Sequence, residues 1–128
     1  MSPRHLLLFV PLVLLAGCGG GGGKTFDVDK SRACMVDRHF AVTDPPPDDL
    51  VAAAAEGGAY SVVYPGQRVT VSFGEDRKGA ERIVRAYQRF NINKIALEDA
   101  LKVRNNAVIL FGAHPTDDDI SKIEACLK

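Results

Sequence analysis

Five consecutive glycines, Gly19 to Gly23, fix where this chain can begin to fold. Glycine loses more backbone freedom on ordering than any other residue, so neither helix nor strand survives such a run. The run acts as a flexible tether averaging on the order of 12 Å end to end. It separates a fold expected over residues 26–128 from an unlike segment upstream. There, Leu6 to Leu15 is almost wholly apolar, broken only by Pro11. Arg4 and His5 precede it, and no Lys or Arg occurs after them until Lys24. The run is too short to cross a bilayer, which takes roughly 20 residues of helix. It has the length and flanks of the apolar region of a secretory signal, roughly 7–15 residues long.

The end of that run is more specific. Leu15-Ala16-Gly17-Cys18 resembles the lipobox of bacterial lipoproteins. The resemblance implies cleavage between Gly17 and Cys18 and loss of residues 1–17 as a signal peptide. It also implies a diacylglyceryl group on the Cys18 thiol and acylation of the new amino terminus. Each buried methylene contributes only about 0.8 kcal/mol, so one acyl chain holds a protein marginally and two or more hold it stably. The implied partner is the membrane, reached through lipid on Cys18, with an envelope protein or wall polymer as a further candidate. The implied address is the extracytoplasmic side of the cell membrane or outer membrane. Gly19 rather than Asp after the cysteine permits outer-membrane sorting in a double-membrane host. The resemblance covers residues 1–18, and beyond it the chain is similar only to small bacterial lipoprotein domains of unassigned function.

From Cys18 to Lys128 there are 111 residues, enough for one domain with a modest core. Residues 18–25 read as lipidated cysteine and tether. The balance of 15 basic against 16 acidic residues gives no field that recommends nucleic acid as a partner. Three cysteines, Cys18, Cys34 and Cys126, make an odd count. Lipid on Cys18 leaves an even pair, and a Cys34–Cys126 disulfide is expected, joining the ends of the fold. Closing a loop of about 90 residues stabilises by roughly 4–5 kcal/mol in the chain-entropy model. The alternative is two buried free thiols. A metal site lacks a C-x-x-C and a clustered histidine.

Along the domain, a helix is expected over Asp29–Arg38, capped by Asp29, with Ala33, Cys34 and Val36 on or near one face. A strand over His39–Thr43 ends at Pro45-Pro46-Pro47. A short helix is expected over Asp48–Glu56, closed by Gly57-Gly58. Ala59–Tyr64 and Arg68–Phe73 form a hairpin around Pro65-Gly66-Gln67, with Val69, Val71 and Phe73 on one face. The strongest helix runs to about Phe90, its apolar stripe being Ala80, Ile83, Val84, Tyr87 and Phe90. A second helix over Lys94–Val103, capped by Asn93, leads to a turn at Asn105-Asn106 and a buried strand at Ala107–Phe111. Asp117–Leu127 closes the chain as a helix. A crossover from Arg68–Phe73 to Ala107–Phe111 suggests one parallel pairing. The expected class is α+β, a two-layer sandwich of a small mixed sheet of about four strands packed with helices, ferredoxin-like in style.

Candidate chemistry is sparse. Lys78, Arg82, Arg85 and Arg89 share one helical face and suit anionic lipid headgroups or wall polymer, at about 1 kcal/mol per residue near a charged surface. A solvated face helped by Glu81–Arg85 at i, i+4 is the simpler explanation. Asp44, Asp48, Asp49 and Asp117 to Asp119 match no calcium loop and fit helix capping. His114, just after the buried strand, with nearby aspartates would be the centre of a small hydrolase, and His39 is the remaining histidine of the domain. No G-x-S-x-G, H-E-x-x-H or phosphate-loop pattern supports catalysis, and no cofactor or metal is implied. Ser72-Phe73-Gly74 before a helix is a weak anion-site pattern. The expected role is a non-catalytic binding module at the cell envelope.

Overall fold

The computed structural model of the protein describes residues 24–90 and 97–128. The lipobox, Cys18, the glycine run and the Asn93 cap lie outside the described residues. In chain order the elements are α1 (Val28–Asp37), β1 (Ala41–Thr43), α2 (Leu50–Ala53), β2 (Ala59–Tyr64), β3 (Gln67–Phe73), α3 (Arg77–Arg89), α4 (Leu97–Ala100), β4 (Leu101–Arg104), β5 (Ala107–Phe111) and α5 (Asp117–Glu124). The five strands form one sheet in the order β1-β2-β3-β5-β4. The expected α+β class forms, but the sheet has five strands rather than about four, and helices cover both of its faces instead of making a second layer on one.

Two turns set the register. Pro65 and Gly66, the latter at φ +82°, join β2 to β3 so that Tyr64 opposes Gln67. Proline followed by a glycine at positive φ is the type II pattern. Asn105, at φ +50°, and Asn106 join β4 to β5, with Arg104 opposite Ala107. Asparagine tolerates this region because its short polar side chain bonds locally.

Two expectations fail at β4. The helix over Lys94–Val103 gives way to the short α4 and a strand over Leu101–Arg104. Leu101, Lys102, Val103 and Arg104 alternate apolar and basic, a period of two that suits a sheet with Leu101 and Val103 on its packed face. The expected parallel pairing of β3 with β5 is also absent. Both β3–β5 and β4–β5 are antiparallel, so the sheet is not mixed and no ferredoxin-like parallel pair forms among the described strands. The crossover through α3 reaches β4, which runs parallel to β3 in direction. The hairpin then returns β5 into the gap between them.

Helices pack on both sheet faces. On one, Tyr60, Val62, Val69, Val71, Phe73, Ile109 and Phe111 meet Met35 of α1, Ile123 of α5, and Cys126 and Leu127 beyond it. On the other, Val108 and the partly buried Leu101, Val103 and Leu110 meet Ala80, Ile83 and Tyr87 of α3 and Val51 of α2. Among the described residues the core lies between Phe26 and Leu127, and the Asp27 amide donates to the Lys128 carbonyl at 2.6 Å. The two ends of the described domain therefore bind each other.

The helix ends show how sequence sets local geometry. Asp27, not Asp29, caps α1, accepting from the Lys30 amide. The buried residues of α1 are Ser31 and Met35, and Val36 is 53% exposed. At the far end His39 sits at φ +66°, while its amide reaches the Val36 carbonyl and the Phe40 amide reaches that of Met35. This is a Schellman stop with histidine where glycine is usual. A side chain in the left-handed region costs roughly 1–2 kcal/mol. His39→Gly is therefore expected to raise the unfolding free energy by about 1 kcal/mol, read from the urea midpoint.

Within the larger core the Tyr60 hydroxyl has no hydrogen-bond partner among the described residues. Burial pushes that phenol's pKa well above its ordinary value. A buried unsatisfied polar group costs about 1–3 kcal/mol. Tyr60→Phe removes that cost and keeps the ring against Phe73, so a gain of about 1 kcal/mol is expected in urea unfolding.

Candidate functional site

The face of the sheet that carries α3 is not fully closed. Between α2, α3 and the strands lies a cleft of about 690 Å³. One wall is Leu50 and Val51 of α2 with Ala54 and Ala55 just beyond it, and the other is Ile83, Ala86 and Tyr87 of α3 with Phe90. Leu110 and Thr70 floor it, and Arg68 and Gly112 lie at the end where β3 begins. Leu50 and Phe90 are 74% and 61% exposed. The apolar stripe read from the sequence places Phe90 in the core, but it caps α3 at the cleft rim, past the last turn that packs on the sheet.

The helices are held apart at a set distance by polar contacts. Asp49 caps α2, one carboxylate oxygen accepting from the Ala52 amide at 2.8 Å, and the other accepts from the Tyr87 hydroxyl at 2.9 Å. Burial, reinforced by the Asp49 carboxylate, raises the Tyr87 phenol pKa, so the hydroxyl stays a donor. Arg82 meets Glu56 at 3.5 Å across the same gap, both side chains 53% exposed. An exposed pair of this kind contributes about 1 kcal/mol at most. Beneath the cleft, Thr70 and Ser61 share one hydroxyl–hydroxyl bond of 2.9 Å.

Glycine backbone closes the deep end. A β-carbon on Gly74 would stand 2.5 Å from the Ala80 nitrogen and the Gly79 carbonyl carbon, and one on Gly57 would stand 2.8 Å from the Gly74 oxygen. Three glycines thus let the α2–β2 connection, the β3–α3 turn and the first turn of α3 touch main chain to main chain. Asn106 ties this knot to the amino-terminal segment. Its side chain donates to the carbonyls of Gly74 and Phe26 at 2.9 Å each and accepts from the Phe26 amide at 2.7 Å. The anion-site pattern at Ser72-Phe73-Gly74 leads to a helix start whose Gly79 amide is already taken by the Asp76 carboxylate at 2.7 Å.

The residues singled out from sequence are dispersed. Cys34 and Cys126 stand at disulfide distance, Cα to Cα 5.3 Å, between α1 and the end of α5 on the opposite sheet face from the cleft. Of the basic stripe, only Arg82 lines the cleft, while Lys78, Arg85 and Arg89 are exposed with no ion pair to a described residue. Glu81–Arg85 is not among the ion pairs of the described residues. Asp44 pairs with Arg32 at 3.1 Å. Thr116 and Asp119 form a capping box on α5, and Asp118 pairs with Lys122. His39 ends α1. His114 is exposed and makes no hydrogen bond or ion pair with a described residue, so the nearby aspartates are not brought to it. No three His, Cys, Asp or Glu side chains converge as metal ligands among the described residues, and no helix there is long and apolar enough to cross a membrane.

The cleft itself is not legible in the sequence. Strand alternation puts Thr70 on an uncovered sheet face, and the helix pattern gives Asp49 a capping role alone. The signal was an apolar residue at an element edge, Leu50 and Phe90, which a single sequence does not distinguish from ordinary exposure. No family model, curated protein or solved structure matches the chain.

Proposed function

We propose that this chain is a lipid-anchored, extracytoplasmic binding module that holds an envelope component without transforming it. The observation that supports binding is the cleft, whose roughly 690 Å³ falls within the range of about 300–1,000 Å³ typical of ligand sites, with apolar walls and few polar groups. The anchor rests on Leu15-Ala16-Gly17-Cys18. The Cys34–Cys126 pair supports the same address, because lipid on Cys18 absorbs the odd thiol and disulfides persist outside the cytoplasm. The exposed cations Lys78, Arg85 and Arg89 offer a surface for anionic headgroups or wall polymer beside such an anchor.

The test is a photocrosslinking amino acid at Ala54, on the cleft wall, in the cell that makes the protein. A discrete adduct that disappears with Cys18→Ser is expected. The same substitution should abolish palmitate labelling and leave an unprocessed precursor. Absence of any adduct would contradict the binding role, and a labelled, normally processed Cys18→Ser chain would contradict the anchor.

A further inference from the structure

We infer that the cleft between α2 and α3 takes a single-chain fatty carboxylate, tail between the helices and head at Arg68. This rests on the reading of the cleft as a binding site and names its ligand. β3 lays Arg68 and Thr70 on the same face, two residues apart, at the floor and open end of the cleft. Their surroundings differ from the rest of the lining. The carboxylates on the α2 side are spoken for: Asp49 accepts from Ala52 and Tyr87, and Glu56 meets Arg82. Asp48 is exposed beside them. Arg68 is exposed, lines the cleft and has no ion pair to a described residue.

The hydroxyls at the floor add a donor. Thr70 is 5% exposed and Ser61 fully buried, and the two share a single bond. Two hydroxyls carry two hydrogens, and one bond uses one of them. Either hydroxyl can donate in that bond, so the unused hydrogen falls on Thr70 at the cleft floor in one of the two arrangements. The unpaired Arg68 guanidinium suits a carboxylate, which only accepts and has two oxygens, and Thr70 two residues away can add a donor when Ser61 donates to it. Between the helices, Leu50, Val51, Ile83 and Ala86, with the Phe90 ring at the rim, offer apolar surface. An acyl chain needs nothing else, and its length then sets affinity: each buried methylene is expected to tighten binding roughly fourfold.

The experiment uses the full chain, a neutral fluorescent reporter of apolar pockets (1-aminoanthracene), and displacement by octanoate, decanoate, laurate and 1-dodecanol. The reporter should bind saturably, and displacement should strengthen about fourfold per added methylene. Arg68→Gln should weaken laurate about tenfold and leave dodecanol unchanged. Ala86→Trp should abolish all binding, and Ala54→Trp, at an exposed wall position, does the same should the first variant unfold in urea controls. Reporter binding without displacement by laurate overturns the fatty carboxylate and leaves a binding cleft. Equal losses for laurate and dodecanol in Arg68→Gln overturn the placement of the head. No reporter binding at all removes both the ligand and the binding role.

Discussion

Replacing Cys34 and Cys126 together by serine is expected to lower the unfolding free energy by about 4 kcal/mol while leaving the native circular dichroism unchanged. The two cysteines lie 92 residues apart in sequence, so the bond restrains most of the domain when it is unfolded. The chain-entropy model assigns a loop of that length roughly 4–5 kcal/mol. The folded state does not depend on the bond for its geometry, because the same seam is closed by other means. The Asp27 amide donates to the Lys128 carbonyl, and the Lys128 amide donates to the buried Ser31 hydroxyl at 3.0 Å. Domains of this size hold only about 5–15 kcal/mol in total, so the variant should sit much nearer its unfolding midpoint in urea. A loss under about 1 kcal/mol would mean that the bond does not restrain the unfolded chain as the loop length requires.

The second large effect is expected at Gly74. An alanine there would place its β-carbon 2.5 Å from main-chain atoms of Gly79 and Ala80, none of which can rotate away as a side chain would. The start of α3 would have to lift from the sheet. That movement would stretch the bond from the Gly74 amide to the Asn106 carbonyl at 2.8 Å and those that Asn106 makes in turn. Overpacking of this kind costs typically about 1–3 kcal/mol, and strain in the Asn106 network brings the expected loss to about 3 kcal/mol. Because Gly74 and Gly79 also line the cleft, the variant should bind the fluorescent reporter more weakly than wild type even where it remains folded. Gly66→Ala is the contrast: its β-carbon meets nothing within 4 Å, and its cost is confined to the turn's positive φ.

Much of the fold is legible in local pattern. Alternation in Val69, Val71 and Phe73, the Pro65-Gly66 turn and the α3 stripe through Ala80, Ile83 and Tyr87 all reappear in the structure. Local pattern does not carry pairing. Leu101–Arg104 is compatible with a helix by propensity, and only hydrogen bonding to β5 makes it a strand. The direction of β5 against β3 depends on that one change. Within the candidate site, Asp49 reads as a cap and Tyr87 as core, and both are so. Their mutual bond across 38 residues, which holds α2 off α3, is a tertiary fact with no sequence period. The cysteine pair is reachable because it comes from counting: one thiol assigned to lipid leaves two.

That count is also where the proposed anchor and the observed seam meet, and one measurement reads both: the intact mass of the protein isolated without reductant from the membranes of the cell that makes it. The account predicts residues 18–128 carrying acylated glycerol on Cys18, two hydrogens lighter than the dithiol. An alkylating agent should add nothing until a reductant is supplied, and then should add at two cysteines. A chain retaining residues 1–17, a Cys18 that alkylates, or Cys34 and Cys126 alkylating without reductant would contradict it.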